Sequence, residues 1–178
     1  MAIYGLKPVC EIQFSGFAFQ CFHQIENHTA RYRQRTQGRF HCQMVMRMPY
    51  GGGVRALEHH SESEEQFYAH IPGLKMVIPS GPRTARALLV AAIRDPDPVV
   101  FFEAKALYHA AKEEVPDEPE LLAIGRARVD REGGISPSSA TARCSASAGR
   151  PRRSCTTRTA WRPRSSTSSP SRPSIGTP

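Results

Sequence analysis

Over its last 44 residues this sequence has no aspartate, glutamate, lysine, leucine or valine, and nowhere does it hold a C-x-x-C pair or a long apolar run. Each absence excludes something. The five cysteines (Cys10, Cys21, Cys42, Cys144, Cys155) stand far apart, which argues against a disulfide framework and against a structural zinc site. No stretch approaches the roughly 18 apolar residues of a membrane helix. The opening MAIYGLKPVCEIQF lacks the basic region and apolar stretch of a leader peptide. The expectation is a cytoplasmic protein with no membrane partner.

The formal charge of +8 suggests nucleic acid until it is located. Ile135 to Pro178 carries eight arginines and no acid, while the first 134 residues balance sixteen basic against sixteen acidic side chains. The body has no basic stripe with interleaved aromatics, so no nucleic-acid partner is expected. The tail is built from twelve serines, eight arginines, six prolines and six threonines. Such a segment cannot bury enough apolar surface to offset its ordering entropy. A GC-rich gene read one base out of register gives this mixture of residues. The expected division is therefore residues 1–133 as a domain and 134–178 as a disordered or frameshifted tail.

The body alternates strand and helix. PVCEIQF (8–14), QMVMRMP (43–49), LKMVIP (74–79) and PVVFFE (98–103) read as strands, the last apolar enough to be buried on both faces. PRTARALLVAAIRD (82–95) starts with proline and sets Ala85, Leu88, Leu89 and Ala92 on one side, so a helix is predicted. Phe19, Phe22 and Ile25 recur every three residues, which predicts an amphipathic helix over 18–34. The fold class is α/β with a parallel sheet, whose ligands gather beyond the carboxyl ends of the strands. By that rule the loops at 15–20, 50–60 and 80–82 carry function.

In EHHSESEEQFYAH (58–70), His59, His60 and His70 sit among Glu58, Glu62, Glu64 and Glu65. Adjacent histidines point about 100° apart on a helix and do not match the H-E-x-x-H spacing of a metal site. A proton-carrying histidine and a satisfied surface histidine both remain open. PYGGGVR permits left-handed backbone but has neither G-x-G-x-x-G spacing nor a following lysine. EIQFSGFAF ends a strand with Gln13 and Phe17, a carboxamide and an aromatic face suited to a planar heterocycle, or else core phenylalanine beside a turn. AIRDPDP is a turn whose carbonyls can hold a monovalent cation, or simply a turn.

GLKPVCEIQF, RMPYGGGVRALEHHSESEEQFYAHIPGLKMVIPS, LLVAAIRDPDPVVFFE and KALYHAAKEEVP together resemble the β subunit of the thiamine-diphosphate-dependent decarboxylase component of 2-oxo acid dehydrogenase complexes. The branched-chain type fits best and the pyruvate type is close behind, over residues 1 to about 133. The resemblance implies a transketolase-like pyrimidine-binding domain that holds the aminopyrimidine of thiamine diphosphate. It implies an α subunit in an α2β2 assembly, which supplies most of the magnesium and diphosphate site, and a lipoyl-bearing acyltransferase core. Carried over by motif, Gln13, Phe17, Ala18, Phe19 and Gln20 contact cofactor, while Phe14, Ser15, Gly16, Phe17 and His60 line the substrate. His60 is the proton carrier. Ala92, Asp95 and Asp97 match a potassium-binding turn of some relatives.

Departures accompany the match. Relatives usually read HSQSPE where this chain reads HSESEE, with Glu62 and Glu64. Glu26 stands where an aliphatic residue is usual and sits poorly if its helix face is buried. The activating glutamate of the family lies upstream of Met1, and the second domain should begin near Gly134. The 178 residues alone are therefore expected to be a fragment with negligible turnover. Alternatives are a non-catalytic fragment that docks on an α subunit, or a transketolase-like relative.

Overall fold

The computed structural model describes residues 1–126 except Val54, Ala111 and Pro119; the expected tail at 134–178 lies outside the described residues. Four strands form one parallel sheet: β1 (Val9–Glu11), β2 (Val45–Tyr50), β3 (Lys75–Val77) and β4 (Val99–Ala104). Their order is β1-β2-β4-β3, with Val45 opposite both Val9 and Val99, and Lys75 opposite Val99. This is the predicted α/β architecture.

The alternation of a strand sends side chains to two faces. Met46, Met48, Tyr50, Val100 and Phe102 face one side and pack with Ala18, Ile25, Ala30, Tyr68 and Ile71. Val45, Val77, Val99 and Phe101 face the other and meet Ala92, with Leu88, Leu89 and Ile93 against them. Phe102 is fully buried, its ring 5.2 Å from Tyr50 and 5.5 Å from Tyr68 in edge-to-face geometry. Truncation there opens a cavity that its two tyrosine neighbours cannot collapse. Phe102→Ala is expected to lose about 3–5 kcal/mol, read as a fall in the urea midpoint at unchanged slope.

The segment predicted as one helix over 18–34 is instead broken. A 3₁₀ turn spans Ser15–Cys21, then α1 (Phe22–Gln24), a π-helical turn Ile25–Thr29, and α2 (Tyr32–Arg35). The residues it buries are Ala18, Ile25 and Ala30, steps of seven and then five. Seven residues are two ordinary turns, but five are the repeat of a π turn. Ala30 N–H accordingly donates to Ile25 O at 2.9 Å. Phe19, at the other end of the three-residue stripe, is about half exposed. Glu26 does not suffer as expected, because it stays half-exposed and pairs with Arg31 at 3.2 Å.

Two further α-helices follow, α3 (Glu65–Ala69) and the longer α4 (Pro82–Arg94). Proline opens α4 where no backbone donor is needed, and Thr84 Oγ1 accepts the Gly81 N–H at 3.0 Å. Extended Asp95 and then Pro96 end it. α4 thereby turns its apolar stripe onto β3 and β4, leaving the carboxyl ends of all four strands at one edge.

Candidate active site

Because every strand runs the same way, the chain leaves β1, β2 and β4 at that common edge. β1 delivers Phe14–Phe17, β2 delivers the loop from Gly51 to Glu64, and β4 delivers Lys105. The β2 loop is tied to itself. Gly51 N–H donates to Glu62 O (2.7 Å), Ser61 Oγ to Ala56 O (2.6 Å) and His60 N–H to Leu57 O (3.2 Å). These bonds hold His60 against the β1 loop. Its ring lies 4.7 Å from Phe14 and 5.5 Å from Phe17, the latter edge-on at 89°.

The imidazole has a defined tautomer. Its Nδ1 is 3.0 Å from the carbonyl oxygen of Glu58, which can only accept, so Nδ1 carries the hydrogen. Nε2 is left as the nitrogen that can take and return a proton. His59 has left-handed backbone (φ 66°) and turns outward, with its ring 5.2 Å from Phe17. Its N–H donates to Glu62 Oε1 at 3.2 Å. Gly16 passes directly beneath this turn, with no room for a side chain.

Beside the aromatic groups two polar side chains, Ser15 and Glu64, are buried close to each other. Ser15 is 2% and Glu64 4% exposed, and neither Ser15 Oγ nor either Glu64 carboxyl oxygen makes a hydrogen bond within 3.5 Å. Burial pushes the Glu64 carboxyl above the ordinary glutamate range; proximity to Ser15 opposes this and Glu62 adds to it. The Glu62 carboxyl is held low by Glu64 and by the His59 N–H. A carboxyl raised on folding stabilises the fold fully below its unfolded pKa, and that contribution is lost as pH rises through the folded value. Glu64→Gln keeps the shape without the charge. It is expected to raise the thermal midpoint at pH 8 by about 2–4 °C, with no gain at pH 4, as read by circular dichroism.

The other residues singled out in the sequence divide. Gln13 is exposed at the end of β1, near the site, and Gln20 is exposed further along. Ala18 is sealed in the core at 0% exposure. Phe19 packs on Phe67 of α3, at 5.9 Å, not on His60. His70 ends α3, and among the described residues no three His, Cys, Asp or Glu side chains gather to hold a metal ion. Lys105 was missed, although it follows a strand end by the very rule that selected the other loops. Its Nζ donates to His60 O at 2.6 Å and lies 4.3 Å above the Phe14 ring.

Ala92, Asp95 and Asp97 lie at the opposite edge of the sheet. Lys75 Nζ reaches both Asp95 oxygens (2.7 and 2.8 Å) and Asp97 Oδ2 (3.3 Å), while Arg33 holds Asp97 Oδ1 at 2.8 Å. Burial alone would raise the Asp97 carboxyl, but Arg33 and Lys75 hold it below the ordinary range. With protein cations on both carboxylates, only main-chain carbonyls of this turn remain for a monovalent ion.

A parallel sheet with an aromatic and histidine cluster beyond its strand ends is the arrangement of an α/β domain whose ligands gather at that edge. Residues 1–111 match the family model described as transketolase, pyrimidine binding domain, and the chain belongs to that family. Among curated relatives, the β subunit of the pyruvate dehydrogenase E1 component of Acholeplasma laidlawii is 55% identical over 133 residues, 75% of this chain and 41% of that protein. The corresponding subunit of Mycoplasma pneumoniae is 51% identical over 132 residues, 74% of this chain and 40% of the relative. The 2-oxoisovalerate dehydrogenase β subunit of Bacillus subtilis is 47% identical over 132 residues, again 74% and 40%. The chain thus spans about two-fifths of the length of these relatives.

Proposed function

We propose that this chain supplies the pyrimidine-binding half of a thiamine-diphosphate site in the decarboxylase component of a 2-oxo acid dehydrogenase. The observation that carries the reading is the convergence of Phe14, Phe17 and His60, with Nε2 of His60 open to exchange a proton. An aminopyrimidine fits this place. The partly exposed Phe17 offers a ring face, Gln13 a carboxamide, and Ser15 a buried hydroxyl without a hydrogen bond. When bound, the cofactor supplies the nucleophilic carbon and the electron sink for loss of carbon dioxide.

The residues of this chain do the rest by placement. Phe14 and Phe17 exclude water from one side of the reacting centre and fix the imidazole plane. His60 Nε2 accepts or delivers the proton that moves as the carbonyl carbon changes state, its Nδ1–H anchored on Glu58 O. An α subunit completes the site with the diphosphate and magnesium groups, in an α2β2 assembly that hands the acyl group to a lipoyl-bearing core. The acyl chain is that of pyruvate or a branched 2-oxo acid, the two types named among the relatives.

The test is co-expression with an α subunit of either type, followed by calorimetric titration with thiamine diphosphate and magnesium. Saturable binding that weakens on Phe17→Ala supports the reading. Stable association with the α subunit and no cofactor binding would instead make the chain a docking element.

A further inference from the structure

We propose that Lys105 is the carboxylate receptor of this site, its ammonium taking the carboxylate of a 2-oxo acid beside His60; the proposal rests on the substrate class inferred above. Lys105 follows β4 at the common edge and is only partly exposed. An ammonium has three donors. One is spent on His60 O at 2.6 Å, and the face of Phe14 lies 4.3 Å away. Among the ion pairs of the described residues, none involves Lys105.

Acids close to it in the chain or on the His60 loop have other surroundings. Glu103 accepts from Arg47 Nε (2.8 Å) and from the Tyr108 hydroxyl (2.6 Å). Glu62 accepts from the His59 N–H, and Glu64 is buried. A half-buried cation without a counter-ion is costly, and one carbonyl with one aromatic face only partly offsets that cost. The two remaining N–H donors suit a carboxylate, with charge-assisted bonds about twice as strong as neutral ones.

The placement also suits the reaction. Lys105 Nζ and the His60 ring both lie against Phe14, at 4.3 and 4.7 Å from its centre. In a 2-oxo acid the carboxylate and the reacting carbonyl are directly bonded. A carboxylate held on Lys105 therefore sets that carbonyl near the imidazole. A strut that merely ties the His60 loop would need no open charge.

The experiment titrates the 178-residue chain with pyruvate and with its neutral counterpart pyruvamide, following the His60 ring and Lys105 side-chain resonances by NMR. Pyruvate is expected to shift both resonances saturably, and pyruvamide to bind about tenfold more weakly or less. Lys105→Met should lower pyruvate affinity by a similar factor of about ten, while Lys105→Arg keeps it within a few-fold. The comparison of the two ligands on the unaltered chain does not depend on any variant folding. Equal binding of pyruvate and pyruvamide, or unchanged pyruvate affinity in a folded Lys105→Met, would overturn the proposal. In the complex with an α subunit, loss of thiamine diphosphate binding in Lys105→Met with pyruvate binding intact would also overturn it, assigning the lysine to the cofactor. Pyruvate binding without any cofactor binding would remove the proposed function and leave the anion receptor standing.

Discussion

Replacing His60 by glutamine is expected to cut turnover by roughly a hundred- to ten-thousand-fold, the range typical of losing a general acid–base group. The reference state is the component assembled with an α subunit, the chain carried in the full length of its relatives. Glutamine can still donate to the Glu58 carbonyl and can still fill most of the space beside Phe14 and Phe17. It offers no basic nitrogen in place of Nε2. The loss should therefore fall on kcat, with KM for the 2-oxo acid and the affinity for thiamine diphosphate changed little. Turnover within tenfold of the parent would mean that the proton moves elsewhere.

Gly16→Ala should damage the same site from below. A Cβ at Gly16 would lie 2.6 Å from His59 Cα and 2.7 Å from His59 O, and would meet the Glu62 carboxylate. The carboxylate can swing away, but the backbone of the His59 turn cannot do so freely. That turn is fixed by the Glu62 O–Gly51 N–H and Ser61 Oγ–Ala56 O bonds on either side, and His59 already has φ 66°. The whole turn must rise, carrying His60 off Phe14 and Phe17. Overpacking of this kind costs about 1–3 kcal/mol of stability, and a displacement near 1 Å costs about a hundredfold in rate. Circular dichroism reads the first effect and steady-state kinetics the second. A parental midpoint together with parental turnover would show that the turn yields without consequence.

The sequence was a good guide wherever one residue pattern dominated the local energetics. VVFF is apolar without interruption and became the part of β4 buried on both faces; PRTARALLVAAIR had both a proline start and a clean stripe, and became α4. The segment after β1 was harder, because a spacing of three suits both a 3₁₀ turn and one face of an α-helix and does not say where one gives way to the other. Burial of Ala18, Ile25 and Ala30 decided the outcome, and those small or single residues give a weak periodic signal.

At the site, His60 and Phe17 were legible as residue types at a strand's end, although His60 gained its role only from the family resemblance. The tautomer was not legible, since it depends on the Glu58 carbonyl. Nor was the buried position of Glu64, which sequence marks only as an unusual acid after His60. Lys105 escaped because a lone lysine after a strand resembles any solvated lysine until the fold brings it to Phe14 and His60. The Asp95–Asp97 turn illustrates the reverse. Its carbonyls were read as able to hold a monovalent cation; for its acids the fold supplies Lys75 and Arg33 from distant positions in the chain, which the local sequence does not announce.

The central claim is that Phe14, Phe17 and His60 form the receiving face for an aminopyrimidine. The most direct measurement is an NMR titration of thiamine diphosphate, with magnesium, into the chain bound to an α subunit, with the phenylalanine and histidine rings labelled. Saturable shifts at Phe14, Phe17 and His60, with the Phe19 and His70 resonances unmoved, are the result the structure predicts. Cofactor binding that leaves those three rings unshifted would contradict it.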